Sequence, residues 1–285
     1  MKAVVAAVLV FLMTSGLPPF ASVAHAQIEG EIRAPFVTTP AEVVDRMLAL
    51  AGTRQADYVV DLGSGDGRIV IAAAAKFGAR GLGLELDPKL VELSRERARA
   101  AGVADRAEFR VQDVLRADFT QANVVTVYLL PSLMSRLAPI FLDDLKPGSR
   151  VVTHAFVLPS WKPDRVERVK ISGPHPMQGD ESTIFMWIVP SKARGAWRAE
   201  SPEGEWKIRI SQNFQEIEVE GEGAGAKLVV ADAKLEGTRI QFFGGHGERG
   251  ARFWFRGRVE GDRIAGDVEL YSGASKRVMP LVFAK

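Results

Sequence analysis

VVDLGSGDGRIVIAAAA, residues 59–75, passes from an apolar, β-branched run through three glycines into an alanine-rich stretch. Strand, glycine turn and helix in that order open a parallel αβ sheet, where glycines let the backbone approach a ligand at the helix N-terminus. The spacing discriminates between ligands. A dinucleotide turn takes G-x-G-x-x-G, whereas the glycines here are Gly63, Gly65 and Gly67, with Arg68 at the sixth position. A phosphate loop ends in Gly-Lys-Ser or Gly-Lys-Thr, and that ending is absent. With no lysine and with Asp61 and Asp66 in the turn, the stretch suits a ligand that carries positive charge.

On both sides of this stretch, strand-like and helix-like segments alternate. A helix is expected over 40–52 (PAEVVDRMLALAG), with proline at its start and glycine at its end. Strands are expected over 58–62, 81–86, 108–111, 123–130 and 150–156, and further helices over 68–77, 88–101 and 133–145. That alternation argues for parallel strands joined by helical crossovers. Two more strands, 166–172 and 182–189, have no helix between them, as an antiparallel hairpin closing a seven-stranded, mostly parallel sheet would require.

Beyond about Ser191 the texture changes. Fourteen of the 27 glycines fall there, and apolar residues recur with period two, as in Trp206, Ile208 and Ile210, or Phe253 and Phe255. A small all-β barrel or sandwich domain is expected over 196–285, after a linker at 191–195. Trp197, Trp206, Phe214, Phe242, Phe243, Phe253, Trp254 and Phe255 read as its core. Adjacent Phe253, Trp254 and Phe255 must send at least one ring outward.

Composition narrows the class. The net charge is +2 and no basic face stands out, so no nucleic-acid partner is expected. The charge-dense Glu92–Arg99 reads as a solvated helix face. There is no cysteine, which excludes disulfides, thiol nucleophiles and thiolate metal sites. His175 and His246 read as loop residues without nearby ligands, and no metal site is expected. Lys2, the apolar run Ala3–Met13, the break at 15–19 and Ala24-His25-Ala26 together form a cleavable signal peptide pattern over residues 1–26. The expectation is export to the periplasm, a mature chain from about Gln27, and no membrane-spanning segment in that chain.

Asp61-Leu62-Gly63-Ser64-Gly65-Asp66-Gly67 resembles the first motif of class I S-adenosylmethionine-dependent methyltransferases, whose cofactor carries an ammonium and a sulfonium. Gly83-Leu84-Glu85-Leu86-Asp87, Gln112-Asp113 and Tyr128-Leu129-Leu130-Pro131 follow in the family's order. The resemblance spans residues 36–190 and implies a Rossmann-like methyltransferase domain within 27–190. It implies S-adenosyl-L-methionine as cofactor, held by Asp61, Gly63, Ser64, Gly65, Asp66 and Gly67, with Glu85 on the ribose hydroxyls and Asp113 near the adenine amine. A narrower likeness rests on Phe36-Val37-Thr38-Thr39-Pro40, GSGDGRIVIAAA and GLELDP. These are similar to exported bacterial methyltransferases, themselves similar to the small mitochondrial protein-lysine methyltransferases, and the likeness adds Thr39 to the cofactor contacts.

Methyl transfer from a sulfonium is an in-line displacement, so the protein chiefly aligns a nucleophile within about 3–3.5 Å of the methyl carbon and excludes water. Two residues at strand ends are catalytic candidates: Tyr128, which could orient an acceptor amine or pack on the adenosine, and His154, a base or a structural histidine. Trp161-Lys162-Pro163-Asp164 is expected as a wall or lid beside them. The fourth-strand YLLP departs from the Asn/Asp-Pro-Pro-aromatic pattern of enzymes that methylate nucleobase amines. Nucleobase methylation is therefore not expected, and the likeness to protein-lysine methyltransferases implies a protein lysine or another, small-molecule amine as acceptor. The alternative is a non-catalytic exported protein that binds the cofactor and uses its β domain for interaction.

Overall fold

Val59, Val60 and Leu62 are fully buried on β1 (Tyr58–Leu62), and β4 (Val124–Val127) is buried along its whole length. Strands without a polar face belong inside a parallel sheet covered on both sides, and that is where these two lie. The computed structural model describes residues 36–175, 179–246 and 251–285. The expected signal peptide, residues 1–26, lies outside them.

The first lobe is a seven-stranded sheet in the order β3-β2-β1-β4-β5-β7-β6. Beside β1 run β2 (Arg80–Glu85) and then β3 (Ala107–Val111). On its other side β4 pairs with β5 (Arg150–His154), and all of these pairs are parallel. The hairpin of β6 (Arg165–His175) and β7 (Gly179–Ile188) completes the sheet, with β7 antiparallel to β5. Among the described residues four α-helices accompany it: α1 (Ala41–Leu50), α2 (Arg68–Phe77), α3 (Pro88–Ala100) and α4 (Pro131–Asp144).

Local chemistry sets the helix starts. Asp87 caps α3 by accepting from Lys89 N at 2.8 Å, with Pro88 at the first helical position. Pro131 plays the same part in α4. That helix therefore begins two residues before the expected 133, and β4 stops at Val127 rather than running to Leu130. The fifth strand ends at His154, not Phe156, because Ala155 turns the backbone left-handed (φ 68°). The hairpin strands are longer than expected.

The second lobe is a closed eight-stranded antiparallel barrel. Its strands are β8 (Gly195–Ala199), β9 (Trp206–Asn213), β10 (Glu216–Gly223), β11 (Ala226–Glu236), β12 (Arg239–His246), β13 (Arg252–Glu260), β14 (Arg263–Ser272) and β15 (Ser275–Ala284). They follow one another in a meander, and β15 returns to pair with β8. Glycines let this sheet coil until it closes. A Cβ at Gly244 would lie 2.1 Å from Val229 O, and one at Gly266 2.1 Å from Arg256 O, each on the neighbouring strand.

The period-two residues point into the barrel: Trp197, Trp206, Ile208, Ile210, Phe253 and Phe255 are all buried in one cluster. Trp254 faces outward beside Phe243, its ring covered by the Arg256 guanidinium at 3.7 Å. Trp254 and Phe243 are thus outer-face residues rather than core, since both alternate away from the inward-pointing Phe253, Phe255 and Phe242. Phe214 also departs from the expected core, because it sits in the β9–β10 turn and stacks on Trp161 of the first lobe. His175 and His246 end strands rather than lying in loops.

The barrel interior is filled by rings. Phe255 lies 4.8 Å from Phe242 and 5.4 Å from Phe283, with no exposure. Phe255→Ala is expected to cost about 3–5 kcal/mol, read as a lower urea midpoint. A loss below about 1 kcal/mol would contradict a packed interior.

Candidate active site

The three glycines of the turn all adopt left-handed backbones, with φ of 77°, 53° and 79° at Gly63, Gly65 and Gly67. At Gly67 a Cβ would meet Phe109 and Ser94 at 2.8 Å, so both conformation and space exclude a side chain. Gly63 N and Ser64 N both donate to Leu84 O at 2.9 Å, which pins the turn to the end of β2. Gly65 N donates to Glu85 Oε2 at 2.9 Å, while Glu85 Oε1 accepts from Leu86 N and Asp87 N. Along the same edge, Gln112 N donates to Glu85 O, and the Asp113 carboxylate accepts from Leu115 N at 2.9 Å. The turn, Glu85 and Asp113 thus form one row across the C-terminal edge of β1, β2 and β3.

Asp61 and Asp66 meet different fates. Asp61 is buried opposite Thr126, whose hydroxyl donates to Asp61 Oδ1 at 2.7 Å. Burial pushes this carboxyl up to about 7, reinforced by the charges of Glu85 and Asp66 and opposed by the Thr126 bond. No cation of the described residues pairs with Asp61. Beside it the Ser64 hydroxyl is buried without a partner among the described residues.

Asp66 is equally buried, but it is paired. It accepts from Arg68 Nε at 2.9 Å and Nη2 at 2.6 Å, and from Arg97 Nη1. Burial alone would raise its pKa, and the two guanidiniums outweigh that and hold it below the ordinary carboxylate value. The turn therefore presents one uncompensated acid, not two. Arg97 lies in the charge-dense stretch expected to be solvated, and no motif marked it, Arg68 or Thr126 as partners of these acids. Thr126 was visible only as the polar residue of an otherwise apolar strand.

Arg68 also donates from Nη1 to Thr39 O at 2.7 Å, which anchors the segment before α1 against the turn. Thr39 Oγ1 shares a hydrogen bond of 3.2 Å with His154 Nδ1, and His154 Nε2 shares one of 3.1 Å with Ser182 Oγ on β7. All three side chains are buried. The Tyr128 ring lies 4.1 Å from the imidazole and 6.2 Å from Phe156, which is roughly parallel to it. Thr39, Tyr128 and His154, from three distant stretches, are thus brought to one place. Trp161 is not a lid: it is buried between Trp187 and Phe214.

A left-handed glycine cradle, a buried acid lacking its cation and an orphaned hydroxyl fit a ligand that offers a cationic amine. With the sheet order, these features are those of a class I S-adenosylmethionine-dependent methyltransferase. The model of the ANTKMT methyltransferase domain matches residues 61–165. A protein-lysine N-methyltransferase of Saccharolobus islandicus is 39% identical over 156 residues, 54% of this chain and 93% of that protein. The chain belongs to this methyltransferase family.

Mouse adenine nucleotide translocase lysine N-methyltransferase is 34% identical over 57% of this chain and 71% of its own length. Among solved structures, an RNA methyltransferase from Salinibacter ruber in complex with S-adenosyl-L-homocysteine is 49% identical, with a TM-score of 0.50. It covers 55% of this chain and 95% of that one.

The raised pKa of Asp61 makes a stability prediction. The folded protein keeps a proton on Asp61 that the unfolded chain, with an ordinary carboxyl, releases above about pH 4. Asp61 therefore subtracts stability as pH rises from about 4 to about 7, by on the order of 4 kcal/mol at most, and no more above that. Asp61→Asn should unfold at higher denaturant than the parent at pH 7.5 and match it near pH 4. A constant difference across that range would refute the assignment.

Proposed function

We propose that the protein methylates the side-chain amine of a protein lysine. The observation that carries this reading is kinship over 93% of the length of a protein-lysine N-methyltransferase. The translocase lysine N-methyltransferase, 71% covered, supports the same acceptor class. When bound, S-adenosylmethionine supplies an electrophilic methyl group on a sulfonium. Asp61 and the 63–67 turn would hold its amino acid end, Glu85 its ribose hydroxyls and Asp113 its adenine, with Thr39 bordering the site.

In this reading Tyr128 faces the acceptor at the end of β4, and its ring and hydroxyl orient the incoming amine. His154 supports that ring from beneath, its two nitrogens occupied by Thr39 and Ser182. Lysine attacks as the neutral amine, so apolar walls such as Phe156 serve by excluding water and disfavouring the ammonium. An RNA acceptor is the second reading, motivated by the Salinibacter ruber relative. The net charge of +2 and the YLLP sequence weigh against it. We also place the activity outside the cytosol, on the signal peptide pattern of residues 1–26. Sequencing of the native N-terminus should begin near Gln27, and an intact Met1 would contradict export.

Incubation with methyl-labelled cofactor, an envelope protein extract and total RNA tests the acceptor. Label in lysine of a protein is expected, and label confined to RNA would overturn the reading. Tyr128→Ala should lower kcat/KM about 10–100-fold, since misplacement of about an ångström has that effect.

Titration with S-adenosylhomocysteine gives an independent check on Asp61. Its amino group needs the ionised carboxylate, so affinity should fall about tenfold per pH unit below 7 and level off above it. Asp61→Asn should bind weakly, with no such slope. A flat profile in the parent would remove Asp61 from the cofactor site.

A further inference from the structure

The segment between β5 and β6 leaves the sheet beside Tyr128 and ends against the barrel. It starts abruptly. Ala155 and Ser160 both adopt left-handed backbones (φ 68° and 61°), which neither residue type favours. Ala155 N donates to Thr183 O at 2.8 Å and Phe156 N to His154 O at 2.8 Å, while the Thr153 hydroxyl donates to Phe156 O. These bonds set the Phe156 ring against Tyr128. The next residue, Val157, is 48% exposed.

The far end of the segment is held by Trp161. Its carbonyl accepts from Trp187 Nε1 at 2.8 Å, and three residues on, Asp164 N donates to Met186 O at 2.9 Å. Ile188 N also donates to Asp164 Oδ2 at 2.7 Å, and the β9–β10 turn of the barrel adds contacts of its own. Phe214 stacks on the Trp161 ring at 5.9 Å, with only 11° between their planes. Trp161 Nε1 donates to Gln215 Oε1 at 2.9 Å, and Gln215 Nε2 returns a bond to Lys162 O at 2.7 Å. Gln212 Nε2 donates to both Phe214 O and Ser191 O, tying that turn to the stretch joining the lobes.

The turn residue itself is out of place by local preference. Asn213 and Glu216 pair across a two-residue hairpin turn, where a positive φ calls for glycine or asparagine. Phe214 stands there with φ 53°. A bulky residue in that conformation is an outlier, and such outliers persist where the surroundings require them. What the phenylalanine gains is the stack on Trp161.

We propose that the β9–β10 turn of the barrel positions the acceptor side of the active site: Phe214 and Gln215 clamp Trp161 and so fix the 155–164 segment that sets Phe156 against Tyr128. Phe214 and Gln215 are positioning residues, and the assignment rests on the reading that the acceptor enters beside Tyr128. It gives the barrel a part in substrate recognition without requiring the barrel to touch the cofactor.

The test uses the full chain and three variants. Phe214→Gly removes the ring while favouring the turn, Gln215→Ala removes the paired bonds, and Phe214→Tyr keeps the stack. Hydrogen exchange over 155–164 should accelerate at least ~10-fold in the first two variants, with β1 and α2 unchanged. S-adenosylhomocysteine affinity should stay within about twofold, while KM for a lysine acceptor rises ~5–20-fold and kcat moves less. Phe214→Tyr should behave as the parent. Unchanged exchange overturns the clamp, as does a parallel loss of cofactor affinity, which would mark a general structural role. Faster exchange with an unmoved acceptor KM overturns the link to the acceptor. If the parent itself labels no lysine, the lysine reading fails, and the exchange result still decides whether the turn holds the segment.

Discussion

A carboxylate buried in the turn between β1 and α2 is the constraint on which the cofactor side of this protein depends. Three left-handed glycines allow the turn, but allowance is not specification. Asp66 specifies it by binding Arg68 at the start of α2 and Arg97 on α3, so two helices are locked to one loop. Arg68 then reaches Thr39, Thr39 reaches His154, and His154 reaches Ser182 on β7. A polar chain, buried at every member except the half-buried Arg68, therefore runs from the glycine turn to the antiparallel end of the sheet. Its members are paired in series, so losing one leaves a buried group without its partner, the costly case for charges and hydrogen bonds alike.

The two acids of the motif divide the work through their surroundings. They sit five residues apart and are equally buried, yet one has two guanidiniums and the other a single hydroxyl. Pairing holds the Asp66 carboxyl below its ordinary value and cancels its charge on site. Without a cation, Asp61 titrates near neutrality, which leaves the free site short of one positive charge. A cationic ligand would complete it. Arg68 thus both displaces the last glycine of a dinucleotide turn and removes one acid from the ligand's reach.

Much of this was legible in the sequence, because periodicity and the glycine turn report local geometry. The strand and helix alternation, the terminal hairpin and the change to period two at Ser191 are local facts, and each reappears in the fold. What was not legible depends on distant pairs. Asp66 reads as free until Arg97, thirty-one residues on, is placed beside it. Trp161 reads as a lid until Phe214, from the other lobe, covers it. Barrel and sandwich look alike in a strand pattern, and closure shows only when Ala284 meets Arg198. Element ends shifted where one residue overrode its neighbours, as Pro131 did in starting α4 early and Ala155 in stopping β5.

The placement of strain connects the two lobes. Four non-glycine residues among those described have left-handed backbones: Ala155, Ser160, Phe214 and Ala224. Three of them lie on the path from the end of β5 to the β9–β10 turn, and each such residue costs on the order of 1–3 kcal/mol. A barrel serving only as a tethered partner would put no demand on the backbone beside Tyr128, and its hairpin would close more easily with glycine than with phenylalanine. The hairpin instead carries a ring that fits Trp161 and an amide that matches its indole and the Lys162 carbonyl. Methyl transfer needs the acceptor held within a few tenths of an ångström, while a loop at a sheet edge is by default the least constrained part of such a fold. Strain spent on fixing that loop against a rigid barrel is consistent with that need.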